Sequence, residues 1–279
     1  MLGTLIIVFR EVIEAGLVVG IVLSVTRGLA GRMPWILGGI GIGVAGALLL
    51  AIFAGSIAAA LEGIGQELFN AAVLSTAVVM LTWHNVWMAR HGREMAAEIR
   101  SVGKDVARGS RSLAALSVVV GVAVLREGSE VVLFLYGVAL SGHDTVIAQI
   151  TGGIFGLILG AGLSALTYVG LVAIPPRYLF AVTGALITFL AAGMAAGAVA
   201  FLEQAGIVTV MTDTVWDTSW LLADSSIAGR VAHTLVGYVD RPTGMELAAY
   251  VAVLVVMTLL SRLFAQRPAA ASLSGAAAQ

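Results

Sequence analysis

Two clusters of charged residues interrupt long apolar stretches of the sequence. Residues 10–14 read REVIE and residues 126–130 read REGSE, so both follow the pattern R-E-x-x-E. Positions three and four residues apart share one face of an α-helix, so each cluster would place two carboxylates and one guanidinium side by side. Two such faces brought together would form a polar centre with four carboxylates.

A centre of this kind has the chemistry of a site for a hard metal ion. Four Glu and two Arg sum to a formal charge of 2 − 4 = −2, which a divalent cation neutralises. Carboxylate oxygens suit Fe, Mn, Mg or Ca, and the absence of Cys excludes thiolate ligands and disulfides. The alternative is that each Arg only pairs with a Glu on its own helix and fixes helix packing. The predicted metal ligands are Glu11, Glu14, Glu127 and Glu130, and the supporting charges are Arg10 and Arg126.

The elements that must position these residues are membrane helices. Hydrophobic residues make up 59% of the 279 residues and charged residues only 11%, whereas soluble domains carry about 25% charged residues. A span needs about 20 apolar residues, and the sequence predicts an all-α membrane protein with seven transmembrane helices. An ionisable residue at the centre of a span costs about 2.5–3.5 kcal/mol, which favours a functional role for the six charges. The apolar runs cover 2–26, 35–61, 68–89, 113–140, 145–176, 178–202 and 247–261.

The basic residues indicate the orientation of the chain. Most of the 15 Lys and Arg residues fall on one side of the membrane if the N-terminus lies outside. Because cytoplasmic loops carry an excess of Lys and Arg, we expect the N-terminus outside and the C-terminus inside. The first span has no basic segment before it and carries charges within it, so we expect it to be retained rather than cleaved as a signal peptide.

The sequence also indicates an internal duplication. The motif recurs after 116 residues (126 − 10), and Gly38-Gly39 recurs as Gly152-Gly153. A unit of three spans crosses the membrane an odd number of times, so its second copy is inverted, as in many transporters. We expect one membrane domain over 1–265, with repeat one at 1–89, repeat two at 113–202, an outer loop at 203–245, a seventh helix at 246–264 and a flexible tail at 266–279.

Several other residues have both a functional and a structural interpretation. Glu62 and Glu67 precede the third span and could form an outer carboxylate ring for incoming cations, although Glu67 would also interact favourably with a helix dipole. His84, near the predicted inner end of that span, could receive the ion at the exit or be a hydrogen-bonded interface residue. The acidic outer loop could attract cations or dock a partner that donates the ion, or it could simply be solvated. Residues 90–111 are predicted to form a solvated basic inner loop.

These features resemble the oxidase-dependent iron transporters, the family of high-affinity iron permeases, and in particular the bacterial elemental iron uptake permeases. The resemblance rests on the two R-E-x-x-E motifs, on residues 62–67 (EGIGQE), on residues 82–88 (TWHNVWM), and on Gly237-Tyr238 with Arg241-Pro242. It extends to about residue 265. One departure is Val12, where many members have the Gly that the second motif has at 128.

The resemblance implies iron permeation through Glu11, Glu14, Glu127 and Glu130, with Arg10 and Arg126 as supporting charges. It implies a multi-pass protein of the bacterial cytoplasmic membrane that binds no permanent cofactor, since iron is the transported substrate. It also implies a periplasmic iron-binding or multicopper oxidase partner, besides membrane lipid, and no nucleic acid. We expect the permease unit alone, without the extra soluble domain of some bacterial members.

We therefore expect a permease that carries Fe²⁺ or Fe³⁺ into the cell, and the residues leave both oxidation states open. The alternative is a non-conducting subunit that senses iron or assists assembly. An intramembrane metalloenzyme is disfavoured because the sequence has no H-E-x-x-H or G-x-S-x-G motif and no intramembrane Asp pair. We expect no enzymatic activity.

Overall fold

The chain folds into α-helices. The computed structural model describes residues 1–60, 65–140, 145–170 and 176–265, and all regular elements in these ranges are helical, with one isolated bridge between Thr214 and Thr243. The all-α prediction is confirmed, whereas the predicted tail at 266–279 lies outside the described residues. The helices are α1 (Leu2–Val25), α2 (Arg32–Ala60), α3 (Gln66–Ala107), α4 (Ala114–Leu140), α5 (Val146–Tyr168), α6 (Pro176–Gln204), α7 (Ile227–Val236) and α8 (Gly244–Ala265).

Within the described residues, four helices have the length and apolar composition of membrane spans, which indicates a multi-pass membrane protein. These spans are Arg32–Ala54 in α2, Val146–Tyr168 in α5, Val182–Gln204 in α6 and Gly244–Leu263 in α8. Helices α1 and α4 have 24 and 27 residues, respectively, and carry the R-E-x-x-E motifs near their middles. At 1.5 Å per residue they are about 36 and 40 Å long, which exceeds the thickness of a bilayer core.

Helix α3 is much longer than the predicted third span. It runs without interruption for 42 residues to Ala107, so the predicted loop at 90–111 is wrong over most of its length. Ile99 and Val106 are buried against Val22 of α1 and Leu116 of α4. The physical reason is an apolar stripe at helical spacing, and Arg100 and Lys104 are exposed outside that stripe.

Close helix contacts join α1 to α5 and α2 to α4 in matching ways. A Cβ atom added at Gly43 of α2 would lie 2.8 Å from the Gly121 carbonyl oxygen of α4. A Cβ atom added at Gly156 of α5 would lie 2.7 Å from the Leu5 carbonyl oxygen of α1. The partners differ by 121 − 5 = 116 and 156 − 43 = 113 residues, close to the offsets of the predicted duplication. The duplication itself stays a prediction.

The departure at Val12 is balanced on the facing helix. An added Cβ at Gly160 would lie 2.9 Å from Val12 Cβ, and an added Cβ at Gly128 would lie 2.6 Å from Ala47 Cβ. Val12 and Gly128 are again 116 positions apart, and Ala47 and Gly160 are 113 apart. Each contact therefore pairs one residue that has a side chain with one glycine, and only the helix that supplies the glycine changes.

Two apolar clusters lie on either side of the motifs. The first includes Ile7 of α1 and Phe134 of α4, together with residues of α3, α6 and α8. The second includes Val18 of α1 and Val120 of α4, together with residues of α2 and α3. Along both α1 and α4, the charged motif therefore lies between two regions of packed apolar side chains.

The predicted outer loop at 203–245 contains regular structure. The Ser226 hydroxyl caps α7 by accepting a hydrogen bond from Gly229 N at 2.9 Å, and Gly237 ends the helix with φ 66°. The Tyr238 hydroxyl donates to the Leu222 carbonyl oxygen at 2.9 Å, which ties the end of α7 to the preceding segment. The segment between α6 and α8 is therefore folded rather than an extended loop.

Candidate metal centre

Each R-E-x-x-E motif forms ion pairs within its own helix. The distance from Arg10 Nε to Glu14 Oε1 is 3.0 Å, and that from Arg126 Nε to Glu130 Oε1 is 3.3 Å. Both are i, i+4 pairs, as the helical spacing of the motif predicts. All four Glu side chains of the two motifs are buried. Ionised groups removed from water need compensating charges, and the Arg residues supply part of that compensation.

Helix α3 brings His84 between the two motifs. Its Nε2 atom lies 3.3 Å from Glu14 Oε2, and its Nδ1 atom contacts Glu130 Oε2. The side chain is only 3% exposed. The prediction placed His84 near the end of a span, but α3 continues past it, so His84 lies within the helix and at the centre of the carboxylate cluster.

Potential ligand atoms of four buried residues lie close together and form a converging set. One atom each from Glu11, His84, Glu127 and Glu130 lie within 4.8 Å of one another. Among the described residues, neither carboxylate oxygen of Glu11 has a hydrogen-bond partner. An unsatisfied buried carboxylate is costly, and a bound cation would remove that cost. Three oxygens and one imidazole nitrogen form a donor set suited to a divalent transition metal ion.

Glu14 has a different role in this geometry. It is absent from the converging set, and its two oxygens instead face Arg10 and His84. The four Glu predicted as equivalent ligands therefore occupy two kinds of position. Glu11, Glu127 and Glu130 belong to the converging set, whereas Glu14 faces the Nε2 side of the His84 ring.

The two Arg residues also differ in their surroundings. Arg10 is 3% exposed, whereas the Arg126 side chain is 32% exposed. The Arg126 guanidinium lies 4.3 Å from the centre of the Trp87 ring, and its Nη1 atom lies 3.8 Å from Met95 Sδ. Both contacts are with α3, so this helix touches the second motif through an aromatic ring and a thioether as well as through His84.

Of the residues predicted to receive ions on the outer side, Glu67 is described and is not part of the converging set. Glu67 is exposed in the first turn of α3, and Glu62 lies outside the described residues. In the segment between α6 and α8, Asp217 accepts hydrogen bonds from the Ser219 hydroxyl and amide and pairs with Arg241 at 3.1 Å. These hydrogen bonds and the nearby guanidinium lower the pKa of Asp217, so its charge is kept at neutral pH.

His84 lies among the carboxylates rather than at the end of a span, and the sequence contains a signal for its burial. Leu74, Ala77 and Leu81 are buried on one face of α3, and His84 follows at the same helical spacing. A histidine that continues an apolar stripe is expected to be buried with that stripe. Nothing in the periodicity, however, indicates which helices cover that face.

Comparison with known proteins gives the family. A profile of the iron permease FTR1 family matches residues 1–271. The ferrous iron permease EfeU of Escherichia coli O6:H1 (strain CFT073) is 33% identical over 249 residues, covering 88% of this chain and 89% of that protein. The ferrous iron permease EfeU of Yersinia pestis is 30% identical over 249 residues, covering 88% of this chain and 87% of that protein. No solved structure shows significant similarity. The chain belongs to the iron permease FTR1 family, which confirms the resemblance seen in the motifs.

Proposed function

We propose that this protein is a permease of the bacterial cytoplasmic membrane that carries iron inward through the centre formed by the two R-E-x-x-E motifs. The convergence of buried ligand atoms from α1, α3 and α4 is the observation that carries the proposal. Family membership supports it, because the family is one of permeases and its relatives are named ferrous iron permeases. In this proposal the ion is the substrate, and the four Glu supply the negative charge that attracts it.

The proposed path crosses a bundle of seven spans, α1 to α6 and α8. The matched contacts of α1 with α5 and of α4 with α2 support two inverted repeats, each contributing one motif. The centre lies between the two apolar clusters, which pack along α1 and α4 on either side of it. Alternating separation of these clusters would expose the centre first to the outside and then to the cytoplasm.

The charges of the centre suit an ion that must both bind and leave. Four Glu and two Arg sum to −2, and a neutral His84 adds nothing to this sum. A divalent ion brings the total to zero, which avoids both strong repulsion in the empty site and an excess of attraction in the filled one. Arg10 and Arg126 reduce the repulsion among the carboxylates when no ion is present.

The outer segment is the proposed contact with a periplasmic iron-binding or multicopper oxidase partner. Trp220 and Leu221 are 80% and 70% exposed there, and the segment is rich in acidic residues. Acidic surfaces raise the local concentration of cations. Glu67, exposed at the start of α3, is proposed to act in the same way.

The first prediction tests the centre by removing single carboxylate charges. Glu11→Gln and Glu130→Gln should each reduce iron uptake at least tenfold, because each removes an anionic ligand from a desolvated site. Uptake of radiolabelled iron by cells that express each variant measures this, with the amount of protein in the membrane determined in parallel. Glu98→Gln is the matched control, since Glu98 is exposed on α3 outside the centre. Normal uptake by both centre variants would contradict the proposal.

A non-conducting sensor or assembly subunit makes a different prediction. Such a protein would bind iron but would not carry it across a membrane. Radiolabelled iron flux into proteoliposomes that contain this chain alone separates the two functions. Iron bound to the protein without accumulation in the vesicle lumen would favour the sensor.

A further inference from the structure

His84 is the one member of the converging set that does not come from an R-E-x-x-E motif. The other three donors are Glu11, Glu127 and Glu130, which sit on α1 and α4. His84 sits on α3. The offsets of the predicted duplication, 114 (152 − 38) and 116 (126 − 10), place its counterpart at Ala198 or Ala200 on α6. The predicted duplication therefore supplies no second imidazole, and the centre is asymmetric in chemistry as well as in geometry.

The two ring nitrogens of His84 face different neighbours. Nδ1 contacts Glu130, a member of the converging set, whereas Nε2 faces Glu14, which is not a member. Glu14 is in turn held by Arg10 at 3.0 Å. Metal-ligating imidazoles ordinarily donate their second N–H to a carboxylate, which fixes the ring orientation and the tautomer. In Arg10, Glu14 and His84 the groups for this arrangement lie close together, with His84 Nε2 3.3 Å from Glu14 Oε2.

We propose that His84 binds the transported ion directly through Nδ1, together with carboxylate oxygens of Glu11, Glu127 and Glu130. In this arrangement the Nε2–H group donates to Glu14, so Glu14 positions the imidazole and does not itself bind the ion. The inference rests on the proposed function, because it assigns ligands within the same centre. It replaces four equivalent Glu ligands with three Glu and one His.

The nitrogen ligand determines which class of ion the centre prefers. Imidazole suits borderline ions such as Fe²⁺, whereas sites made only of oxygen suit Ca²⁺ and Mg²⁺. The formal charge of −2 likewise matches a divalent rather than a trivalent ion. Within the proposed iron permease, this donor set favours Fe²⁺ over Fe³⁺, and His84 is the residue that discriminates Fe²⁺ from the hard divalent cations Ca²⁺ and Mg²⁺.

Pulsed electron paramagnetic resonance on the purified full-length chain tests this assignment. Mn²⁺ is the probe, because it is paramagnetic and tolerates the same donors as Fe²⁺. The protein should show modulation from a bound ¹⁴N nucleus, and labelling with ¹⁵N-histidine should convert this signal to that of ¹⁵N. His84→Gln should abolish the nitrogen signal while Mn²⁺ remains bound. His233→Gln is the matched control and should keep the signal, since His233 lies in α7 and outside the converging set.

Two binding measurements complete the test. In His84→Gln, the preference for Fe²⁺ over Ca²⁺ in competition binding should fall at least tenfold. Glu14→Gln should keep the nitrogen signal but weaken Fe²⁺ binding about 10–100-fold, as expected for a residue that orients a ligand. Glu130→Gln provides the comparison, because losing a direct ligand should weaken binding further.

The outcomes separate this inference from the proposed function. Binding of Mn²⁺ without any histidine nitrogen signal in the unsubstituted protein would overturn the inference and leave iron permeation intact. A nitrogen signal that survives His84→Gln would do the same. Because ¹⁵N-histidine labelling needs no substitution, the inference can be tested even if His84→Gln fails to fold. Failure of the unsubstituted protein to bind Fe²⁺ or Mn²⁺ would overturn both.

Discussion

The two motif arginines have the same sequence context but different environments. Arg10 is almost fully buried against Glu14, whereas about a third of the Arg126 side chain is exposed and the guanidinium lies over Trp87. A buried ion pair stabilises little in itself, but removing one partner leaves an uncompensated buried charge. The two arginines should therefore contribute unequally to stability.

The second prediction compares the arginines directly. Arg10→Gln should destabilise the protein by about 3–5 kcal/mol, because the carboxylates of Glu11 and Glu14 lose their nearest positive charge. Arg126→Gln should cost less, since water reaches that side chain. Thermal unfolding of both variants in the same detergent measures the difference. Equal losses of stability would show that exposure does not separate the two residues.

The packing of α1 on α5 and of α4 on α2 is the main feature at the scale of elements. In both pairs, glycine lets the backbones approach closely, as small residues commonly do in membrane helices. The position facing Gly160 is Val12, and the position facing Gly128 is Ala47. How closely the two helices approach at these positions depends on the combined size of the two facing residues.

The third prediction concerns this contact. Gly160→Ala should destabilise the protein by about 1–3 kcal/mol, because the added methyl group overlaps Val12 and the Phe9 backbone. The control is Gly162→Ala on the same helix, where a Cβ atom meets nothing within 4 Å; this variant should be neutral or slightly more stable. Adding Val12→Gly to Gly160→Ala reproduces the pairing of Gly128 with Ala47 and should recover part of the loss. Strictly additive effects in thermal unfolding would contradict the compensation.

The length of α3 is the second feature at the scale of elements. Met95, Ile99, Val102 and Val106 recur at three- and four-residue intervals, which predicts a continuing amphipathic helix. The basic residues between them predict a solvated loop, whereas the apolar spacing predicts a helix. Helix periodicity is the more informative signal here, since charged side chains are tolerated on the outer face of any surface helix.

At the scale of the whole molecule, a polar centre is enclosed by apolar packing on both sides. The first apolar cluster draws on α1, α3, α4, α6 and α8, and the second on α1, α2, α3 and α4. Opening either side therefore requires relative movement of helices that belong to different predicted repeats. Which of the two clusters faces the cytoplasm depends on the orientation of the chain in the membrane.

The fourth prediction determines that orientation. The sequence contains no Cys, so single cysteines can be introduced without removing native ones. Ser225 is exposed in the segment before α7, and Ser101 is exposed on the long end of α3. With the N-terminus outside, Ser225→Cys should react with a membrane-impermeant maleimide in intact cells. Ser101→Cys should react only after permeabilisation, and the reverse pattern would invert the topology.

Much of the fold and part of the centre follow from local sequence patterns. Composition alone indicates a multi-pass helical membrane protein, because so few charges and so many apolar residues cannot form a soluble domain. The spacing of R-E-x-x-E places Arg10 and Glu14 in contact, since an i, i+4 pair depends only on the helix to which it belongs. The repeated motifs, together with the shorter segments at 62–67, 82–88 and 237–242, were also enough to identify the family.

Which side chains of different helices come into contact depends on the tertiary structure. His84 and Glu130 are 46 positions apart (130 − 84), and their contact depends on how α3 packs against α4. The separate placement of Glu14 and the unequal burial of Arg10 and Arg126 depend on the same packing. Helical periodicity fixes the face that a side chain occupies, but the partner of that face is set by helices distant in sequence. The carboxylates of the cluster could therefore be predicted from the sequence, whereas the position of the His84 imidazole among them depends on the fold.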